Sequence, residues 1–136
     1  MRDSQPGALG QGTCTPDSRP FSVCRIIHSM TVHLPGKVVF QEALARLPGP
    51  KGERYSSILS KGNFEVEIYA PRVTDPQQPH TRDEVYIVVS GRGEFILEGA
   101  THQFEAHDLF FVPAGAEHRF VNFTDDLVVW AIFYGP

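Results

Sequence analysis

Cysteine is nearly absent: Cys14 and Cys24 are the only two in 136 residues, and both fall within the first 29. A bond between them would tie off a short loop, and two thiols without nearby histidine spacing make a poor zinc site, so free and inert thiols are expected. Long apolar runs are also missing. The longest, LVVWAIFY, is strand-sized and too short to span a membrane. Residues 1–29 carry charges and prolines and lack the continuous apolar core of a signal peptide, which makes a cytoplasmic protein the expectation. Basic residues number 12 against 16 acidic ones, net -4, and they are scattered. That pattern argues against nucleic acid or an anionic membrane as partner and leaves a small molecule or another protein. No β-α alternation is present, which excludes a parallel α/β sheet.

What remains fits one domain, long enough to bury a core without staples. The opening MRDSQPGALGQGTCTPDSRP has no period and is rich in turn formers, so residues 1–29 are expected to be poorly ordered, with Met30 the native start of a folded domain 30–136 and the first 29 residues wrongly assigned to it or dispensable. Intact-mass measurement of native protein tests this; a mass that includes the first 29 residues would refute it. In FQEALARLP, Phe40, Ala43, Leu44 and Leu47 recur at helical spacing before Pro48, predicting a short amphipathic helix. FEVEIYA then alternates Phe64, Val66, Ile68 and Ala70 against Glu65, Glu67 and Tyr69, a half-buried strand.

Short strand-like runs follow, separated by turn chemistry. Gly91 and Gly93 are expected to bracket a hairpin, as are Gly99 and the Pro113 to Gly115 corner. Many short strands with regular turns predict an all-β sandwich or barrel. YIVV, LFFV and LVVWAIFY are apolar on both faces, which requires a second layer or a neighbouring subunit outside the barrel and makes a homodimer the economical expectation.

Ligand-type side chains stand at strand entrances. DPQQPHTRDEVYIVVSG places His80 and Glu84 ahead of an apolar run, and PAGAEHRFVN places His118 after a turn and before another strand. If those strands are neighbours, the three donors point into one cavity. Two imidazoles and a carboxylate form the facial set that holds Fe(II) with positions left open, and the set also suits Mn, Ni or Zn. Taken singly, each histidine reads as a turn or surface residue; the three together favour one divalent transition metal. Gln78 shares strand parity with His80 and Glu84. Arg82 is placed to hold a substrate carboxylate or to form a surface ion pair, and Tyr86 and Phe120 to line the cavity wall. Asp83 faces away by parity.

The chain resembles a small single-domain cupin. That family's first motif has the form G-x5-H-x-H-x3-4-E-x6-G and its second G-x5-P-x-G-x2-H-x3-N. Here His80-x3-Glu84-x6-Gly91 matches the end of the first, and Pro113-x-Gly115-x2-His118-x3-Asn122 matches the second from its proline onward. The resemblance implies a jelly-roll barrel of the cupin type, with metal-ligand roles for His80, Glu84 and His118. The family's first metal histidine falls at Gln78, its first glycine at Arg72, and the leading glycine of its second motif at His107. Gln78 is therefore a weak fourth ligand, a hydrogen-bond partner behind the ligands, or a loop residue of a site that has lost its metal. His107 reads as a turn residue tolerating positive φ, His102 as an exposed hairpin residue, and Asn122 as a brace for the second motif.

Three functions stay open, two implied by the resemblance and the third resting on doubly apolar strands such as YIVV alone. The first is a mononuclear metal site acting on a small polar molecule as a dioxygenase or isomerase. The second is a non-catalytic small-molecule-binding cupin without metal, and the third a dimeric interaction module.

Overall fold

The computed structural model describes residues 36–136. The expectations for the first 29 residues and for both cysteines lie outside the described residues. One short helix, α1 (Phe40–Leu44), precedes eight strands: β1 (Tyr55–Lys61), β2 (Phe64–Tyr69), β3 (Asp83–Ser90), β4 (Gly93–Leu97), β5 (Ala100–Phe104), β6 (Leu109–Val112), β7 (His118–Val121) and β8 (Val128–Tyr134). They form a five-stranded sheet in the order β1-β2-β8-β3-β6 and a three-stranded sheet in the order β5-β4-β7. Every pairing is antiparallel. This is the all-β jelly roll with a short N-terminal helix that the turn spacing and motif resemblance imply.

The two sheets close on an aromatic core in which Tyr86, Val88, Phe95, Val112 and Val129 are wholly buried and Phe120 nearly so. Phe95 packs on Phe120 at 4.7 Å between centroids, and Tyr86 meets Phe120 at 5.1 Å. Full burial of one such aromatic contributes about 1.5–3 kcal/mol, so this cluster is the main apolar term between the sheets. α1 packs on the outer side of the large sheet. Its buried Ala43 joins Ile58, Ile68, Ala70 and Val128, with Phe40 edge-on to Trp130 at 6.1 Å.

Two expectations change. Glu98-Gly99 is a two-residue hairpin loop with both residues at positive φ, as expected for that glycine. Gly91–Gly93 and Pro113–Gly115, however, are not hairpins but corners that carry the chain from one sheet to the other. The reason at the first corner is close backbone approach. A Cβ on Gly91 would lie 2.7 Å from Leu127 Cα, and one on Gly93 2.7 Å from Phe123 Cα. Both glycines have positive φ, so they permit a crossing that a side chain would block.

Strand β2 also faces opposite to what its composition suggests. Registered residues share a face. Glu65 pairs with Phe133 and Glu67 with Ala131, both on the lumen side, whereas Val66 and Ile68 pair with Ile132 and Trp130 outside. The polar parity of β2 therefore faces into the barrel, and its apolar parity supports the helix.

Candidate metal centre

His80 lies just ahead of β3. Its main-chain carbonyl accepts the Gly115 N–H at 2.7 Å, and Asp83 Oδ1 accepts the Ala114 N–H at 2.8 Å. These bonds join the loop before β3 to the corner before β7, and the side chain of Asp83 has this bracing role. Glu84, the second residue of β3, pairs with Val112 and Phe133 and points into the lumen, 1% exposed. His118 opens β7 in the opposite sheet and is 5% exposed. The two motif strands are thus not hydrogen-bonded neighbours; they face each other across the barrel.

The hydrogen bonds of the two imidazoles determine what the cluster can hold. His80 Nδ1 donates to the Arg82 carbonyl at 2.8 Å, and His118 Nδ1 donates to the Ala116 carbonyl at 2.9 Å. With each Nδ1 hydrogen committed to the main chain, each neutral ring presents its Nε2 lone pair inward. Both lone pairs converge on Glu84 Oε2, at 2.7 Å from His80 and 3.4 Å from His118. Lone pairs aimed at a carboxylate repel unless a proton or cation lies between them. Furthermore, His118 Nε2 and Glu84 Oε1 are buried without a hydrogen-bond partner, a state that native cores rarely tolerate. The donor atoms of His80, Glu84 and His118 all lie within 4.8 Å of one another, so the three could hold one ion. The donor set and its orphaned atoms fit a divalent metal.

The charge environment is acidic. Burial alone lowers the basicity of His118, but the Glu84 carboxylate, the Ala116 carbonyl and Asp75 outweigh it, and the imidazole titrates above its ordinary range. Glu67 on the lumen face of β2 is pushed up to about 7, first by burial, then by Glu65 and Glu84, with Arg82 pulling the other way. Burial and the nearby Glu84 and Asp75 carboxylates keep Tyr86 a neutral phenol.

The remaining sequence-derived residues are dispersed. Gln78 is exposed and lines a cavity of about 320 Å³ together with Gln77, His118, Ile96 and Arg119. Ile96 and Arg119 are register partners on the face opposite Phe95 and Phe120, so the cavity runs from the start of β7, where His118 lies, onto the outer face of the small sheet. Arg82 is engaged by Glu65 at 2.8 Å and stacks on Phe133 at 4.5 Å. Tyr86 and Phe120 sit in the core beside the cluster, with the Tyr86 ring 6.0 Å from that of His118. His107 adopts φ 77° as a turn residue, His102 is exposed, and Asn122, at φ 49°, donates to Glu94 Oε2 at 2.6 Å.

Sequence reasoning missed a hydrogen-bond hub. Asp75 Oδ1 accepts the Tyr69 hydroxyl at 2.5 Å and the Gln77 N–H at 3.2 Å; Oδ2 accepts the Gln77 amide at 2.9 Å and the Phe120 N–H at 2.8 Å. Gln77 Oε1 in turn accepts the Tyr86 hydroxyl at 2.5 Å. Of the two adjacent glutamines, Gln77 turns inward and braces the loop that carries His80. Only the sequence DPQQP, an Asx-type turn former beside two amides, could have signalled it.

The chain matches the cupin domain family over residues 65–134. An uncharacterized protein of Streptomyces coelicolor is 39% identical over 84 residues, covering 60% of this chain and 80% of that protein. An acireductone dioxygenase of Bacillus anthracis is 32% identical over 100 residues, covering 69% of this chain and 58% of the enzyme, so the chain spans little more than half of that relative. Among solved structures, a cupin 2 conserved barrel domain protein from Salinispora arenicola superposes with a TM-score of 0.52 at 27% identity, over 60% of this chain and 74% of that one. The cupin domain of Schizosaccharomyces pombe Cnp3 gives 0.54 at 13% identity, over 60% and 64%, a likeness of fold alone. With both motif ends on facing strands of a jelly roll, and half the chain matched, the protein belongs to the cupin domain family.

Proposed function

We propose that this cupin holds one divalent transition metal on His80, Glu84 and His118 and acts on a small, oxygen-bearing polar molecule, with dioxygenase chemistry favoured over isomerisation. The observation that carries this reading is the pair of Nε2 lone pairs held on a buried carboxylate by main-chain carbonyls. The likeness to acireductone dioxygenase supports the reaction class. A bound ion would polarise a coordinated oxygen and leave positions open for substrate. Glu84 would offset part of the ion's charge, and the remaining positive charge would favour anionic oxygen ligands. Tyr86 and Phe120 would form the wall beneath the ion, and Arg82, stacked on Phe133, the rim. In this reading Gln78, exposed at the mouth of a cavity that His118 also lines, is not one of the three ligands.

Elemental analysis of protein purified without chelator or histidine tag tests the reading. About one equivalent of metal is expected, lost in His118→Ala and His80→Ala and retained in Gln78→Ala. Full occupancy in both histidine variants would place the metal elsewhere.

A non-catalytic, metal-free binding cupin is the second reading, favoured by the glutamine at the family's first histidine position. Under it, the protein resists loading with Fe, Mn, Ni or Zn, yet a small ligand raises its melting temperature.

We also propose a homodimer through the outer face of the large sheet. Leu109 and Phe111, 60% and 55% exposed on edge strand β6, continue across Ile87 and Val85 to Trp130 and Ile132. Light scattering should give twice the monomer mass, and Phe111→Glu should return it to one; a monomeric parent protein refutes it.

A further inference from the structure

A second polar constellation lies away from the ligand cluster, where the β2–β3 connection passes the start of β1. A cavity of about 400 Å³ there is lined by Arg54, Arg72, Tyr55, Tyr69, Thr74 and Gln77, with Glu53 also at its wall. Two guanidinium groups are drawn to the same main-chain oxygen. Arg54 Nε donates to the Ala70 carbonyl at 2.8 Å, and Arg72 Nη1 reaches it at 3.3 Å. Arg72 Nη1 is further held by the carbonyls of Pro71 at 2.8 Å and Leu127 at 3.0 Å.

These contacts fix both forks without neutralising either. Carbonyl acceptors carry no charge, and among the described residues neither guanidinium has a carboxylate within 4.0 Å. Among the described residues one carboxylate, that of Glu53, stands at the wall, with Oε2 turned to the Lys51 N–H at 2.9 Å. Both arginines are half-buried, so solvent screens their repulsion only in part. Burial and, second, the charge of Arg72 lower the basicity of Arg54, the expected signature of two cations held together. Among the described residues Arg54 bonds through Nε alone, and its two Nη groups have no partner there. A fixed planar fork with spare donors beside a second cation is the arrangement that binds planar or tetrahedral oxyanions in bidentate fashion.

We propose that the Arg54–Arg72 cavity is an oxyanion-binding site for a small molecule bearing a phosphate or carboxylate group. The site is separate from the ligand cluster and does not depend on a metal there. It shares one wall with the hub that braces the His80 loop, because Tyr69 and Gln77 line the cavity and both bond Asp75. An anion seated on Arg54 and Arg72 would therefore lie beside residues that brace the segment carrying a proposed metal ligand.

Isothermal titration calorimetry of the full chain with inorganic phosphate and, in a separate arm, succinate tests the proposal and distinguishes the two chemistries. Saturable binding of at least one probe is expected. Arg54→Gln should weaken it by about tenfold or more, the loss of a charge-assisted pair. Glu53→Gln removes the one negative charge that the described residues place at the wall and should tighten binding, while Lys61→Gln, on an exposed strand end, should leave it unchanged. Melting temperatures without ligand establish that each variant is folded, and the Glu53 variant keeps the test valid if Arg54→Gln is not. Equal affinity in parent, Arg54→Gln and Glu53→Gln, or the absence of saturable binding by both probes, would overturn the proposal. Failure of the metal assay would not touch it.

Discussion

Asp75→Ala is expected to be among the most destabilising single substitutions near the site. The carboxylate accepts four hydrogen bonds, and two of the donors belong to core residues: the Phe120 N–H, on a residue 1% exposed, and the Tyr69 hydroxyl, on a residue 8% exposed. Stranding a buried donor costs about 1–3 kcal/mol, so these two alone give about 2–6. Asp75 and Gln77 are only half-buried, and water can replace part of what the Gln77 donors lose, which places the expected loss at about 3 kcal/mol. For a domain of this size that is a fall in melting temperature on the order of 15 °C. Asp75→Asn should fall between, because an amide has a single acceptor oxygen and must turn its NH₂ toward at least one of the donors. Urea unfolding and calorimetry measure both variants. Metal content should also drop in Asp75→Ala although His80, Glu84 and His118 are untouched, since Asp75 holds the loop before β3. An alanine variant within about 0.5 kcal/mol of the parent, the range of an ordinary surface change, would refute the reasoning.

Glu67→Gln should stabilise metal-free protein at alkaline pH and do little in acid. The folded-state pKa is raised from 4.5 to about 7. Between those values the folded protein keeps a proton that the unfolded chain releases, so stability falls as pH rises through this window. Glutamine removes that dependence. Melting temperatures in chelator at about pH 5 and about pH 8 measure it, and an equal effect at both would show that Glu67 does not titrate as described. Metal retention should weaken as pH falls through the raised range of His118, because a protonated ring cannot be a ligand. Retention that is flat across that range would argue against His118 as a ligand.

The sequence by itself determined the fold class, the helix before the barrel and the three donors, because each is written in local chemistry. Helical spacing in FQEALARLP, turn residues at short intervals, and His80, Glu84 and His118 at motif spacing all survive without knowledge of what lies opposite. Tertiary structure decided what depends on a facing surface. Alternation in β2 separates two faces but cannot say which is inside, and only pairing with β8 turned Glu65 and Glu67 into the lumen. Strand parity grouped Gln78 with His80 and Glu84, but the segment between β2 and β3 is not a strand, so parity does not hold there, and it is Gln77 that hydrogen-bonds Asp75. Arg54 and Arg72 stand 18 positions apart in the sequence, and they meet only because both reach the same Ala70 carbonyl. Spacing fixes which groups the chain carries, but whether they are buried, paired or stranded depends on contacts between residues distant in sequence.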